Sequence, residues 1–444
     1  IAGRMGIPAW VYYNNRGQGV CSFGVQDRDH AILEFCPAHM AYQNNARTGF
    51  RTFLKVNGQF QEAFRGRCDM HILAGELEIS WQSDQLKTSA LYFGVPGERA
   101  GMLARILTVQ NTADAAVQVD LLDGLPAVVP YGVSNESLKM MTQLSKAWMQ
   151  VENPDFGTPC FCVRASMADT AQVTKVRGGN FAFGMDENGR RLPVIVQPEL
   201  IFGEDTALER PDGYLTKTSE ELCRMHQVTE NEFPCCFFAD SRTLMPGDSM
   251  QILSLFGQTE EKGEIEALTA PVNTPEWFME KRRQAEELVR NLTDVIDTKT
   301  ANEVFDGYCR QTYLDNLLRG GTPVFFGKDD RKMPFYMYSR KHGDPEREYN
   351  AFSLGDEYYA QGNGNFRDVC QNRRCDVFFH PQLKDFGIRT FFELIQSDGY
   401  NPLVMTFSTF RMQPKDAKDC SMKLPKKDRE NAVTLLTEEF TPGR

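Results

Sequence analysis

The sequence has little positive charge, and it has no apolar run long enough to cross a bilayer. Its 49 Lys and Arg residues stand against 60 Asp and Glu residues, which gives a formal net charge of −11. The basic residues cluster only briefly, at residues 281–283 and 423–427. A chain without a basic face or an apolar span is not expected to bind nucleic acid or to enter a membrane.

Zinc-binding and disulfide patterns are also missing, although the chain has 12 cysteines. No CxxC pair occurs, and the spacings Cys160-x-Cys162, Cys235-Cys236 and Cys370-x4-Cys375 fit no standard zinc site. We therefore expect reduced, mostly buried thiols, a cytoplasmic location, and neither a metal nor an organic cofactor.

Two common catalytic motifs are absent. The sequence contains no GxSxG, so a nucleophilic serine on a strand-to-helix elbow has no support. The glycines of "GNGN" at residues 362–365 do not follow the GxGxxG pattern, so a bound nucleotide is not indicated.

Residues 1–271 repeatedly show the pattern of strand, turn and strand. "RILTVQN" and "VQVDLLDG", at residues 105–111 and 117–124, alternate apolar and polar residues on either side of a Thr-Ala-Asp turn. "MQILSLFGQ", from residue 250, is typical of a buried strand, and helical periodicity is hard to find in this half. The pattern predicts a large antiparallel β-sandwich.

The pattern becomes helical at Thr274-Pro275-Glu276, where a capping residue, a first-turn proline and an acidic residue come together. Further helices are predicted up to Gly320-Gly321 and around residues 386–395. The roughly sixty residues from Thr322 to Gln382 are aromatic, charged and rich in glycine, and loops of this length are usually functional.

"QGNGNFRDVCQNRRCD", at residues 361–376, holds five charged and five amide side chains in sixteen positions. One interpretation is a helix N-terminus, with Asp368 favourable to the helix dipole and Gln371 one turn later. The other is a sugar site, because carboxylate, guanidinium and amide groups satisfy adjacent hydroxyls. Nearby aromatic residues could stack on sugar rings or belong to the core: Phe335, Tyr336, Tyr338, Tyr358 and Tyr359.

Several stretches resemble the inverting β-glycan phosphorylases, the group of the cellobiose and chitobiose phosphorylases. The combination "YLDNLLRGG", "YMYSRKHGD" and "GNGNFRDVCQNRRCD" is most similar to the large β-1,3-glucan phosphorylases. "VYYNNRGQGVCSFGVQDRDHAILEF" and "DGLPAVVPYGVSNESLKMM" resemble the same subgroup. The resemblance covers nearly the whole chain.

The resemblance implies a multidomain β and α fold. Residues 1–271 would form the sandwich, 272–300 a linker helix and 301–444 the first part of an (α/α)6 barrel. It also implies that Asp368 of the RDxxQ motif holds hydroxyls of the sugar in the −1 subsite, with Arg367 and Gln371 beside it. In cellobiose phosphorylases an arginine just upstream helps to bind phosphate, whereas Gly362 or its neighbours stand there in this sequence, so Arg340 or Arg347 is the expected replacement.

The activity implied is phosphorolysis of β-glucan oligosaccharides to α-glucose 1-phosphate with inversion, a glycosyltransferase-type reaction with inorganic phosphate as co-substrate. A homodimer is left open. The group's general acid lies in a later motif that is absent here, and twelve barrel helices need roughly 200 residues or more. We therefore expect a fragment truncated at both ends, with its general acid beyond Arg444 and no activity alone. An inverting hydrolase on the same frame and a non-catalytic glycan-binding protein are the alternatives.

Overall fold

A computed structural model describes residues 1–154, 157–168, 170–327, 332–341 and 352–444. The described residues fall into two compact units. The first is formed chiefly by Pro8–Asn291, with Ile1–Ala2, and the second by Gly3–Ile7 and the described parts of Leu292–Gly343 and Phe352–Arg444.

The first unit is built from three antiparallel sheets. In chain order its strands are β1 Ala9–Tyr13, β2 Val20–Val25, β3 Ala31–Leu33, β4 Arg51–Val56, β5 Gln59–Glu62, β6 Asp69–Leu73, β7 Glu76–Gln82, β8 Leu86–Gly94, β9 Gly101–Asn111, β10 Val117–Leu125, β11 Met149–Glu152, β12 Cys160–Val163, β13 Gly179–Asp186, β14 Val194–Ile195, β15 Cys236–Leu244 and β16 Ser249–Thr259. The strand orders are β11-β12-β13-β16-β9-β8-β7-β6, β14-β15-β10-β4-β5 and β1-β2-β3.

The two larger sheets pack face to face as a sandwich. One buried cluster contains Leu121 and Phe238 of the five-stranded sheet together with Leu107 and Phe256 of the eight-stranded sheet. The Phe238 and Phe256 rings lie 6.4 Å apart between centroids. The predicted sandwich is therefore present, with large antiparallel sheets as its framework.

Helices cover the outer faces of both sheets. The helices of this unit are α1 Ala38–Thr48, α2 Asn135–Met140, α3 Thr142–Ser145, α4 Pro198–Phe202, α5 Asp212–Thr216, α6 Ser219–Arg224, α7 Ile265–Thr269 and most of α8, Pro275–Thr293. Phe202 and Tyr214 pack on the five-stranded sheet, and Phe278 and Ala285 of α8 pack on the eight-stranded sheet. Because both faces are covered, strands such as β9 are buried almost throughout.

The second unit is mainly helical and has two small sheets. Its helices are α9 Glu303–Gly320, α10 Phe366–Arg373, α11 Asp376–Phe379, α12 Phe386–Glu393, α13 Pro414–Ser421 and α14 Arg429–Thr437. Its strands are β17 Thr322–Phe326, β18 Met333–Met337, β19 Gly364–Asn365 and β20 Val404–Met405, paired as β17-β18 and β19-β20. No helix among the described residues is both long and apolar enough to cross a membrane.

Two sequence expectations need correction. Helices are more frequent in the first half than the periodicity indicated, because α1–α6 are short or polar: α1 buries only Ala41 and Asn45. The segment predicted as a long loop, Thr322 to Gln382, instead contains the β17-β18 pair and helices α10 and α11. The predicted helix starting at Pro275 and the one ending at Gly320 are confirmed.

Candidate functional site

The amide-rich stretch forms the entry to helix α10. Asn365 pairs with Val404 in the β19-β20 ladder and then serves as the N-cap residue of α10. Asp368 lies in the first turn, where its negative charge is favourable to the helix dipole. The helix N-terminus interpretation is thus correct for the backbone, and it does not exclude a binding role for the exposed side chains.

Arg367, Asp368 and Gln371 project from one face of α10, since positions separated by three and four residues are neighbours on a helix. The Asp368 carboxylate accepts a hydrogen bond from Asn365 Nδ2 at 3.1 Å and one from Arg367 Nε at 3.0 Å. The Arg367 side chain is 85% exposed and that of Asp368 28% exposed. Gln371 is exposed as well. The three predicted sugar-binding residues therefore form one solvent-facing polar surface, which we call the α10 face.

Of the two predicted phosphate-binding arginines, Arg340 lies among the described residues. Arg340 Nη1 donates to the carbonyl of Leu318 at 3.1 Å, near the C-terminal end of α9. Arg347 lies outside the described residues. The Arg340 guanidinium thus contacts a helix end, where positive charge is favourable.

Gly362 lies at a close backbone contact. A Cβ atom at this position would lie 1.7 Å from the Ser353 carbonyl oxygen, a distance at which no side chain fits. The Gly362 amide also donates to the Ser339 carbonyl at 2.8 Å. No arginine can replace Gly362 without moving the backbone.

Arg373, at the C-terminal end of α10, was not singled out in the sequence. Its Nε donates to the Gly320 carbonyl at 2.6 Å, and its Nη2 donates to Ser339 Oγ at 2.8 Å. Its guanidinium carbon lies 3.6 Å from the centre of the Tyr336 ring, a cation–π contact. Burial lowers the pKa of Arg373 to about 10, against the attraction of Tyr336 and Asp376. These contacts fix α10 to the end of α9 and to the segment after β18.

Asp376 lies next to this arginine and is only partly satisfied. Burial raises the pKa of its carboxyl to about 6, although the nearby Arg373 charge acts in the opposite direction. Its Oδ2 atom is buried and has no hydrogen-bond partner among the described residues. Nε2 of His380 is also buried without a hydrogen-bond partner among the described residues, and burial lowers the pKa of the His380 imidazole. We call Tyr336, Arg373 and Asp376 the arginine cluster.

The aromatic residues considered as stacking platforms belong mainly to the core. Phe335, Tyr336 and Tyr338 are each at most 3% exposed. The Tyr338 hydroxyl accepts a hydrogen bond from the Gly3 amide at 2.6 Å. Tyr358 and Tyr359 are half-buried. Of the two interpretations offered for these residues, the core is correct for Phe335, Tyr336 and Tyr338.

A cavity of about 500 Å³ lies elsewhere, in the first unit, between the end of β1 and strand β5. Its wall includes Arg51 and Arg65, but both guanidinium groups pair with Glu62, at 2.7 and 2.8 Å. Its basic lining is therefore partly neutralised by Glu62. Size alone does not make it the better candidate.

Comparison with known proteins gives only distant structural similarity. No protein-family model and no curated protein matches the chain. Similar solved structures include a bacterial glucoamylase complexed with acarbose, at 8% identity and a TM-score of 0.42, covering 97% of this chain and 57% of that one. A polysaccharide lyase has 9% identity and a TM-score of 0.36, covering 59% and 34%. A kojibiose phosphorylase from the human microbiome has 7% identity and a TM-score of 0.27, covering 74% and 34%.

The names of these three proteins all describe carbohydrate-processing enzymes. This chain spans between about a third and somewhat more than half of their lengths. All three TM-scores lie below 0.5, so the similarity supports no argument about the reaction or the substrate.

Proposed function

We propose that this chain carries the sugar-binding part of an inverting glycoside phosphorylase that acts on β-glucan oligosaccharides, with β-1,3 linkages. The observation that carries the proposal is the α10 face, where an oriented carboxylate lies beside a guanidinium and an amide. The resemblance of this RDxxQ stretch to the β-glycan phosphorylases names the reaction. In this proposal residues 1–271 form the sandwich, 272–300 the linker helix and 301–444 the first part of an (α/α)6 barrel.

Each group of the α10 face has a defined role toward a pyranose ring. Asp368 accepts hydrogen bonds from two sugar hydroxyls, and the Arg367 and Gln371 side chains donate to hydroxyl oxygens next to them. Asn365 and Arg367 hold the Asp368 carboxylate, so less rotamer entropy is lost when sugar binds.

Arg373 acts as a positioning residue for this face. Its bonds to Gly320 and Ser339 fix the far end of α10 from two directions. A helix held at its C-terminal end presents its first turn in one orientation, which is what a subsite for a single sugar ring requires.

In the proposed reaction, an oxygen of inorganic phosphate forms a bond to C1 of the sugar in the −1 subsite. The bond from C1 to the glycosidic oxygen breaks on the opposite face, and its electron pair goes to that oxygen, which takes a proton from a carboxylic acid. The products are α-glucose 1-phosphate and a glucan shortened by one unit. Phosphate replaces the activated water, so a second enzymic carboxylate is not needed. Arg340 and Arg347 are the proposed phosphate ligands.

The proposal is tested by Asp368→Asn in the protein expressed from its complete gene. Replacing a charged acceptor by an amide removes hydrogen bonds to a charged group, so we expect glucose 1-phosphate formation to fall by about 10- to 100-fold. The matched control is Asp385→Asn, the same chemical change at an exposed ion pair of α12 with Arg389. Wild-type kinetics in the Asp368 variant would show that the α10 face does not bind substrate.

Phosphate dependence separates the proposed reaction from its alternatives. A phosphorylase releases glucose 1-phosphate only when phosphate is present, whereas an inverting hydrolase releases free glucose without it. A non-catalytic glycan-binding protein would bind β-glucan oligosaccharides in calorimetry but release neither product.

A further inference from the structure

Two cysteines and a glutamate meet at one edge of the eight-stranded sheet, far in sequence from α10. The Sγ atoms of Cys160 and Cys162 and a carboxylate oxygen of Glu152 all lie within 4.8 Å of one another. All three residues belong to the first unit, and the proposed glucan phosphorolysis gives none of them a role.

Strand geometry explains why these side chains converge. Cys160 and Cys162 are two positions apart in β12, so both side chains leave the same face of the sheet. Glu152 of β11 is the direct antiparallel partner of Cys160, and Gln150 is that of Cys162. Directly opposed residues have Cβ atoms about 5 Å apart, which brings their functional atoms within reach of a common centre.

The neighbouring strand has a glycine where its backbone passes closest to the Cys160 sulfur atom. Gly179 begins β13, and a Cβ at this position would lie 2.4 Å from Cys160 Sγ. Any other residue at position 179 would therefore occupy the space beside that thiol. The two cysteines are at most 2% exposed, whereas the Glu152 side chain is 34% exposed. The group thus has a closed, sulfur-lined end and an open, carboxylate end.

Lys262 lies at the open end. Its ammonium group forms an ion pair with Glu152 Oε1, and its side chain is 33% exposed. The Lys262 ammonium group already neutralises Glu152, so a metal ion that binds this carboxylate would have to displace it. Because lysine is long and partly exposed, its head can move to solvent when a more strongly held cation arrives.

We propose that Glu152, Cys160 and Cys162 form a binding site for a thiophilic divalent cation, with Zn²⁺ as the fitting class. Two sulfurs and one carboxylate oxygen are three of the ligands that tetrahedral zinc takes, at about 2.3 Å for sulfur and 2.0–2.2 Å for oxygen, and water completes the set. Ligands at these bond lengths are separated by less than 4 Å in a tetrahedron, so the observed spacing needs only side-chain adjustment. On binding, each thiol releases one proton to solvent and Lys262 leaves Glu152.

The spacing rules for zinc miss this site because its third ligand comes from another strand. Cys160-x-Cys162 alone has no standard partner pair in sequence, and Glu152 is recognised only through the β11-β12 register. The β11-β12 pairing brings in a ligand from another strand, whereas in a zinc ribbon a second CxxC supplies the remaining ligands.

The test is a titration of the reduced, metal-free chain with Cd²⁺, which takes the same ligands and gives an ultraviolet thiolate-to-metal band. We expect one equivalent to bind and to protect Cys160 and Cys162 from alkylation, as read by peptide mass spectrometry. Cys160→Ser and Cys162→Ser should each lose the protection. Cys235→Ser, at a fully buried thiol that directly precedes β15, is the matched control and should keep it.

Two further variants keep both thiols and so remain informative if the serine variants fold poorly. Glu152→Gln should weaken Cd²⁺ binding by at least about tenfold, since loss even of outer-shell partners costs that much. Lys262→Met should bind at least as tightly as wild type, because it removes the competing ammonium group. A purely structural ion pair predicts no effect of either change on metal affinity.

Three results would overturn the proposal. The first is equal alkylation of Cys160 and Cys162 with and without Cd²⁺. The second is a charge-transfer band that persists in the Cys160→Ser, Cys162→Ser double variant. The third is a Cys160–Cys162 disulfide that reforms after reductant is removed, with no metal uptake by the reduced chain, which would identify a redox dithiol instead.

Discussion

Each unit buries an arginine next to an aspartate, and the two units differ in how the polar groups of these residues are satisfied. In the sandwich, Arg105 and Asp123 are at most 1% exposed and pair directly through Nη1 and Oδ2. In the second unit, Arg373 lies beside Asp376 but directs its Nε and Nη2 donors to Gly320 and Ser339. Arg105 and Asp123 belong to a complete hydrogen-bond network, whereas Asp376 keeps one oxygen without a partner among the described residues.

The sandwich pair is satisfied on every side by polar neighbours. Arg105 Nε donates to the Tyr92 hydroxyl at 3.1 Å, and Nη2 donates to Gln18 Oε1. Asp123 Oδ1 accepts from Thr52 Oγ1 at 2.6 Å. Burial nevertheless raises the pKa of Asp123 above its ordinary value. A fully connected network of this kind fixes how the strands register and resists change.

In the arginine cluster, by contrast, Asp376 Oδ2 has no partner in the part of the chain that the structure describes. An ionised carboxylate there is destabilising, because burial is not repaid by hydrogen bonds. The difference teaches that the polar surroundings of a buried carboxylate decide whether it joins an ion pair that orders the fold, as Asp123 does, or holds a proton near neutral pH, as Asp376 does.

The largest change in the free energy of unfolding is expected when Arg105 of the sandwich pair is replaced. Arg105→Met would leave Asp123 buried without its counter-charge, and we expect a loss of about 3–5 kcal/mol in the free energy of unfolding, measured by urea denaturation. The matched control is Arg283→Met, at an exposed pairing with Glu280 and Glu287, which should leave the free energy of unfolding close to that of wild type.

A double variant separates loss of the pair from the cost of an orphaned charge. Arg105→Met with Asp123→Leu removes both charges and should recover part of the lost stability. If the double variant is as unstable as the sum of the two single variants, the network contributes through its hydrogen bonds rather than through charge balance.

A smaller change is expected for Asp376→Asn, and it should raise rather than lower the free energy of unfolding. The folded-state pKa of about 6 exceeds the ordinary 3.8, so the folded protein holds this proton more tightly than the unfolded chain does. Stability from this group is present below about pH 4 and is lost as the pH rises to about 6. The Asn variant should therefore be more stable than wild type at pH 7, by about 1–2 kcal/mol after allowing for partial exposure.

The measurement is the melting temperature of both proteins between pH 4 and 7. The difference between them should grow across this interval and level off above pH 6. A constant difference would mean that Asp376 does not titrate in this window. Lower stability of the variant at pH 7 would mean that the ionised carboxylate is well solvated.

The smallest effect is expected for Tyr336→Phe. The ring remains and keeps its contact with Arg373, while the hydroxyl is removed. The hydroxyl lowers the pKa of Asp376, so its loss should move the pH-dependent step in stability upward and slightly lower the stability at pH 7. A pH profile identical to wild type would show that the hydroxyl does not act on Asp376.

The sequence predicted those elements whose signals are local. Alternating residues marked the strands that became β9 and β10, a mainly apolar run marked the buried strand β16, and Pro275 marked the start of α8. It did not predict that the turn at residues 112–114 connects two different sheets. In the structure β9 pairs with β8 and β16, whereas β10 pairs with β4 and β15. A turn fixes direction over a few residues, whereas sheet membership depends on partners far along the chain.

The same limit applies to the candidate sites. Asp368, Arg367 and Gln371 were identified because they lie within one helical turn and share a face. The arginine cluster was missed, since Arg373 reaches Gly320 across 53 residues of sequence. The helix α1 was missed for another reason: it is anchored by Asn45, whose Nδ2 donates to the Arg16 carbonyl at 2.7 Å and the Gly19 carbonyl at 3.0 Å, rather than by an apolar stripe.

The position of β16 has a consequence for how this protein is made. β9 ends at Asn111, and β16, its neighbour in the middle of the eight-stranded sheet, ends at Thr259. At about 5–20 residues per second, a ribosome needs on the order of ten seconds to synthesise the interval between them. During that time one edge of β9 waits without its partner, open to pairing with other nascent chains. Slow synthesis of this interval should therefore lower the yield of correctly folded protein unless chaperones cover the open edge of β9.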